Sequence, residues 1–344
     1  MVLIEDNCTE DLDQLALDHY QALIRPRINN GSYHSTQSLI GRIEHQLSIS
    51  PFPLKKQVDF WKYLLANHHH KLQRIICGRP EELAQLIDEI DALFGNSLFS
   101  RNRNYHLAYL TPFGNLVKTV FNYNNYRSGN LAIQNSVKLN VNYCPYCNLQ
   151  ETQIITTTSG LTGNEHSLAL HQLDHFYPQS RHPYLGVSFF NLIPGCAPCN
   201  ATLKGEKDFN ISTHFNPFNK SFNDFFRFRM SRIVYNKQED VEIFIESKQP
   251  HGLSQIRDFV LISRYNHSTT QQMIFNMMES YKNRSPAIQR SIAAQIKGLV
   301  GSLATSNNML LKSQGVPLES TKINDHPRGK LKRDICIQLR LIQE

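Results

Sequence analysis

The chain has no apolar run long enough to cross a membrane as a helix, which removes the helical membrane-spanning classes. Its first residues, Met1-Val-Leu-Ile-Glu-Asp6, carry neither a basic segment nor a long apolar core. No secretory signal is therefore expected there, and the cytoplasm is the expected compartment. Internal repeats and low-complexity tracts are absent. Cysteine is sparse, seven in 344 residues, and a disulfide framework belongs to small secreted domains, which this chain does not resemble. What remains is ordinary for a soluble globular protein: 40% hydrophobic and 19% charged residues. The length admits two or three domains and a sizeable core. A net charge of +7 and a pI near 9.0 suit a polyanionic partner, although the excess is diffuse.

Helical periodicity dominates up to about residue 125. A first helix is capped near Asn7 to Thr9, is apolar at Leu12, Leu15, Ala16, Tyr20, Leu23 and Ile24, and stops at Pro26. A second is expected over 35–47, and a third after Pro51 and Pro53, apolar at Val58, Trp61, Leu64 and Leu65. The fourth has Pro80 at its first position, Glu81 and Glu82 at the positive end of its dipole, and Gly95 as its stop. A fifth is expected around 106–123. His68-His-His70 reads as a polar helix end, because consecutive helical side chains point in different directions and rarely share one ion. Alternation then predicts strands at 137–143 and 151–157, with a Cys-x-x-Cys turn between them. Residues 232–235 and 241–245 read as a hairpin around the loop 236–240. From Leu253 onward the chain is helical again, with a helix begun by Ser285-Pro286 and apolar at Ile288, Ile292, Ile296 and Leu299.

Four of the seven cysteines form two pairs, Cys144-Pro-Tyr-Cys147 and Cys196-Ala-Pro-Cys199, separated by 48 residues. Thiolates at this spacing curl round one ion, and two such pairs complete a tetrahedral zinc shell. A closed shell leaves no place for water, so the zinc would be structural. A redox pair, or two buried cysteine pairs, is the other reading. Cys8, Cys77 and Cys336 are scattered and read as small buried hydrophobes.

Between and after the pairs lie His171-Gln-Leu-Asp174-His175-Phe-Tyr-Pro178, Phe189-Phe-Asn191-Leu-Ile-Pro194 and Asn200-Ala-Thr-Leu-Lys204-Gly205. In this order, across residues 143–205, the motifs resemble the HNH endonucleases, also called His-Me finger or ββα-metal nucleases, in a form with a four-cysteine zinc site. The resemblance implies an α+β fold, with a small nuclease core and zinc clamp at 131–250 between helical regions at 1–130 and 251–344. It implies metal-dependent hydrolysis of nucleic-acid phosphodiesters, DNA in preference to RNA, leaving a 5′-phosphate. By motif position His175 would be the general base, and Asp174 and Asn200 would hold one Mg²⁺ or Mn²⁺. Asn191 would fix the loop and orient the His175 ring, and Lys204 would touch a phosphate. Asn200 stands where many members have histidine, yet it still offers an oxygen to a hard cation. His171 and His182 read as scaffold or weak phosphate contacts. Asp174 and His175 are adjacent, so on a strand they face opposite sides, and a bend is needed to aim both at one phosphate.

A looser likeness runs through His214-Phe-Asn-Pro-Phe218 and Arg264-Tyr-Asn-His267, although the latter reads equally as a helix surface. It is to the HNH nucleases of Septu-like anti-phage defence systems, which work beside an ATPase. It implies that the helical flanks bind a regulatory ATPase; the alternative is that they complete the core. Two rival functions stand beside DNA cleavage. One is an RNA- or tRNA-cleaving HNH nuclease. The other is a non-catalytic, zinc-stapled nucleic-acid-binding module.

Overall fold

The computed structural model describes residues 2–25, 32–49, 54–158, 165–232, 235–247, 252–282, 308–309 and 311–343. Four helices open the chain: α1 (Leu12–Ile24), α2 (Leu39–Ile49), α3 (Lys55–Cys77) and α4 (Pro80–Phe94). Asp11 caps α1 by accepting from the Gln14 amide at 2.8 Å, two residues beyond the expected cap. Pro26, the expected stop, lies outside the described residues. Pro80 opens α4, where its missing N–H is no loss, and Gly95 closes it at φ 79°. Helix α3 is broken. Asn67, His68 and His69 turn left-handed, at φ 49°, 54° and 66°, so the histidine triplet occupies a kink rather than a helix end. No metal-binding group forms around it among the described residues.

The helix expected over 106–123 starts later. Asn104 accepts from the amides of His106 and Leu107 at 2.9 and 3.0 Å, and this local turn competes with helix. Strands β1 (Ser100–Arg101) and β2 (Tyr109–Leu110) pair there. Helix α5 (Pro112–Phe121) begins only where Thr111 caps it by accepting from Gly114 at 2.9 Å. Two more helices follow, α6 (Tyr123–Arg127) and α7 (Asn130–Leu139). The strand expected at 137–143 is therefore corrected: Val137 to Leu139 end α7, and left-handed Asn140 stops it. One antiparallel bridge, Tyr143 to Glu151, survives around the first cysteine pair.

Strands β3 (Ile154–Thr158) and β4 (Glu165–Ala169) form one hairpin, and β5 (Gln172–His175) and β6 (Leu192–Gly195) another. A π-helix, Pro198–Lys204, follows β6 directly. Of the hairpin arm expected at 232–235, residues 233–234 lie outside the described residues; the partner of β8 (Ile243–Ser247) is β7 (Phe226–Met230). The free edge of β7 decides this. Its Phe228 and Met230 amides donate to Asp334 and Gln338 of the last helix at 2.8 and 2.9 Å. Helices α8 (Leu253–Asp258), α9 (Leu261–Tyr265), α10 (Ser268–Lys282) and α11 (Gly329–Gln338) complete the described chain. The helix expected after Ser285 lies outside it. The class is α+β, built from helices and small antiparallel sheets. No described helix is long and apolar enough to cross a membrane.

The N-terminal helices do not stand apart from the middle of the chain. Phe60 of α3 sits among Phe94, Phe99, Phe113 and Tyr184, with ring centroids 4.9 to 6.1 Å away. Burying rings of this size stabilises by about 1.5–3 kcal/mol each. Around that cluster, polar bonds fix the segment 176–191. His19 meets the Val187 carbonyl at 2.8 Å, and the Tyr177 hydroxyl donates to Pro80 at 3.1 Å. The C-terminal part grips the other side. Asn324 bonds both Asn142 and Tyr143 at 2.7 and 2.6 Å, and the Arg328 amide donates to the Asn148 carbonyl at 2.7 Å.

Candidate active site and metal centre

The two cysteine pairs converge. All four Sγ atoms, from Cys144, Cys147, Cys196 and Cys199, lie within 4.8 Å of one another and all four residues are buried. Cys147 and Cys196 are 3.8 Å apart, too far for a disulfide and close to the ~3.8 Å edge of a tetrahedron with Zn–S bonds of about 2.3 Å. The first pair sits in a tight turn, where the Cys147 and Asn148 amides both donate to the Cys144 carbonyl. Asn148, at φ 51°, takes the left-handed position that asparagine tolerates. The second pair lies where β6 passes into the π-helix. Four sulfurs this close and this dry cannot all ionise without a cation, so the four cysteines are placed to hold a metal ion such as zinc.

The segment that read equally as a helix surface turns out to back this centre. Arg264 donates to Cys199 Sγ at 3.3 Å, and the Tyr265 hydroxyl donates to the Cys147 carbonyl at 2.6 Å. Burial disfavours the Arg264 charge, but the neighbouring sulfurs outweigh it and hold the guanidinium above its ordinary value. Such outer partners orient ligands and tune their affinity. Nothing in the local sequence marks this role, since the contact spans 65 positions. Of the scattered cysteines, Cys336 is buried, while Cys8 and Cys77 are half-buried and donate weakly to backbone carbonyls.

Strand β5 sets the rest of the site. Gln172 and Asp174 share one face, and the π-helix lies across it with Asn200 and Lys204 one turn apart. Asn200 Nδ2 donates to Gln172 Oε1 at 2.8 Å, and Lys204 Nζ donates to Asp174 Oδ1 at 3.0 Å and to the His175 carbonyl at 2.6 Å. The second Asp174 oxygen accepts from the Tyr146 hydroxyl at 2.6 Å. Asp174 and Lys204 side chains are each only 2% exposed. Two expectations change here. Lys204 is a buried partner of Asp174 rather than a cation facing a phosphate. Asp174 is engaged by Lys204 and Tyr146, so its carboxylate is already matched by an ammonium, and the Asn200 side chain is held by Gln172 through its Nδ2. This donor set does not fit a divalent ion while Lys204 holds Asp174.

His175 points away from that face. Its Nε2 meets the Gly186 carbonyl at 2.9 Å, and the Tyr123 ring stands edge-on with centroids 4.3 Å apart. Burial lowers the imidazole from its ordinary range to about 4, with Lys204 and Lys118 adding to the effect. Asn191 is fully buried and acts as a clamp. Its Oδ1 accepts from the Tyr177 amide at 2.7 Å, and its Nδ2 donates to the Tyr177 and Leu185 carbonyls at 3.2 Å. Leu185 adjoins Gly186, so the clamp sets the carbonyl that meets His175. His182 is buried against the Tyr184 hydroxyl at 3.1 Å, and His171 pairs with Ser136 at 3.1 Å. His171 also lines a cavity beside α7. Tyr123, Tyr146 and Gly186 were not singled out by the sequence; of these, only Tyr146 lies inside a motif, between the cysteines. No protein-family model, curated protein or solved structure matches the chain.

Proposed function

We propose that this chain is an HNH-type endonuclease that hydrolyses phosphodiester bonds of nucleic acid, DNA in preference to RNA. The arrangement of His175 carries the reading. A carbonyl can only accept, so the Nε2 facing Gly186 bears the proton and Nδ1 keeps a lone pair. No protein group among the described residues engages Nδ1. A ring held neutral in one tautomer is ready to take a proton from water. The hydroxide so formed attacks phosphorus, the 3′-oxygen leaves, and a 5′-phosphate remains. A base near 4 is weaker than one matched to neutral pH, but the approach of an anionic phosphodiester raises it. Asn191 is a positioning residue in this scheme, acting through Gly186.

Support also comes from the order of parts: a two-stranded hairpin bearing Asp174 and His175, then a short helix bearing Asn200, stapled by four cysteines. Mg²⁺ or Mn²⁺ would neutralise phosphate charge here only if Lys204 released Asp174. The grip of the N-terminal helices on residues 176–191 fits flanks that complete the core, and an ATPase gating the site would act through the same helices. The dry Asp174–Lys204 pair favours a second reading, a zinc-stapled nucleic-acid-binding module without hydrolysis. The two are separated by incubating the zinc-loaded chain with plasmid, single-stranded DNA and total RNA, with and without divalent ions. Nicked or linear plasmid with ligatable 5′-phosphate ends is expected, and binding without any cleavage would leave the second reading.

A further inference from the structure

A cavity of about 430 Å³ opens beside the hairpin, walled by α6 and α7 on one side and by β4, β5 and Asn200 on the other. Tyr123, Arg127, Ser128, Gln172 and Asn200 line it. Tyr123 joins it to His175, since its ring packs on the imidazole and its hydroxyl donates to the Leu173 carbonyl at 2.6 Å. Asn200 uses its Nδ2 on Gln172 Oε1. That leaves Asn200 Oδ1 and Gln172 Nε2 without a protein partner among the described residues, a donor and an acceptor at the cavity wall.

The charge around this cavity is one-sided. Arg127 is exposed at its rim and forms no ion pair among the described residues. Lys118 is exposed on α5 and likewise unpaired among the described residues, and α5 packs through Phe121 against Gly186, whose carbonyl meets His175. Three cations of α3 and the α3–α4 junction are matched, Lys71 with Glu89, Arg74 with Glu82 and Arg79 with Asp13, while Lys62 on α3 is exposed and away from the cavity lining. The carboxylate of the adjacent residue, Asp174, is already taken by Lys204. Two unpaired cations flanking Tyr123 along the chain, beside a polar cavity, make a surface suited to a phosphate backbone.

We infer that the α5–α6 ridge is the backbone-binding subsite of this nuclease, an inference that rests on the function proposed above. Lys118 and Arg127 each hold a phosphate of the strand whose scissile phosphate meets His175. The cavity receives the adjoining nucleotide, with Gln172 and Asn200 against its polar edge. The chemistry is that of a phosphodiester backbone, shared by DNA and RNA.

The test uses the full zinc-loaded chain carrying His175→Ala, so that substrate survives. Fluorescence anisotropy with a short duplex DNA and a matching single-stranded RNA, between about 50 and 200 mM salt, gives the slope of log K against log salt. Lys118→Gln and Arg127→Gln should each weaken binding and reduce the slope by about 0.9 on duplex or about 0.7 on a single strand. Lys62→Gln removes the same charge from exposed α3 and should leave the slope unchanged. Loss on the duplex alone supports the subsite as one for DNA, and loss on the RNA alone as one for RNA. If all three substitutions act alike, or none changes the slope, this subsite is overturned while nucleic-acid binding stands. If the protein binds neither probe, the nuclease reading itself fails.

Discussion

Replacing Lys204 with methionine removes an ammonium while keeping most of its volume. Asp174 is left 2% exposed, with only the Tyr146 hydroxyl on its second oxygen. Breaking a buried ion pair from one side costs about 3–5 kcal/mol, because the remaining charge stays dry and unmatched. The Tyr146 bond places the expected loss at the lower end of that range. Removing both partners, as in Lys204→Met with Asp174→Leu, should recover more than half of it. Denaturant unfolding of the zinc-loaded chain measures all three. The freed carboxylate makes a further expectation. Mn²⁺ should stabilise Lys204→Met, by about 2.7 kcal/mol at a hundredfold excess over Kd, and should leave the wild type unmoved. A loss below about 1 kcal/mol, the range of exposed pairs, would refute the reasoning. So would a double variant no more stable than the single one.

The zinc centre predicts that Cys144→Ser or Cys199→Ser loses the metal and the folding of the middle of the chain together; zinc analysis beside circular dichroism reads both, and well-folded zinc-free protein would contradict it. Arg264→Ala should keep the fold but weaken zinc about 10–100-fold, measured by competition with a chelator. His19 is fully buried and held at about 4 by burial, below its ordinary 6.5. The unfolded state therefore takes up its proton first, and stability should be level above about pH 6.5 and fall towards pH 4. His175 and His214, also held at about 4 by burial, add to the fall; the share of His19 should be about 3 kcal/mol and be lost in His19→Gln, as unfolding midpoints across that range will show.

The metal centre was legible because cysteine spacing is nearly a geometric statement: two turns of fixed size meet at one ion. The pairing of 172–175 with 192–195 around Asp174 and His175 was not among the strands expected from alternation, because both arms are short and lie among buried residues. What the sequence did not disclose is how the site is closed. Lys204 carries a charge that reads as a surface cation, and only the π-helix lying across β5 turns it onto Asp174. Arg264 and Tyr265 are far along the chain, and their contact with the cysteines is purely tertiary. The misplaced hairpin has the same origin. The pattern at 232–235 suits a strand, but Asp334 and Gln338 hold the edge of 226–230 instead. Local turn chemistry accounts for the late start of α5, where Asn104 accepts from two amides ahead of it. The Pro80 and Gly95 ends of α4 were readable because each is set by a single residue.

The central claim is that His175 removes the proton from the attacking water. Initial cleavage rates of wild type and His175→Ala on the substrate that the wild type cuts best test it directly, with zinc content and nucleic-acid affinity measured on the same samples. The account predicts a fall of about 10²–10⁴-fold with both controls unchanged. Equal rates would contradict it and remove His175 from the reaction.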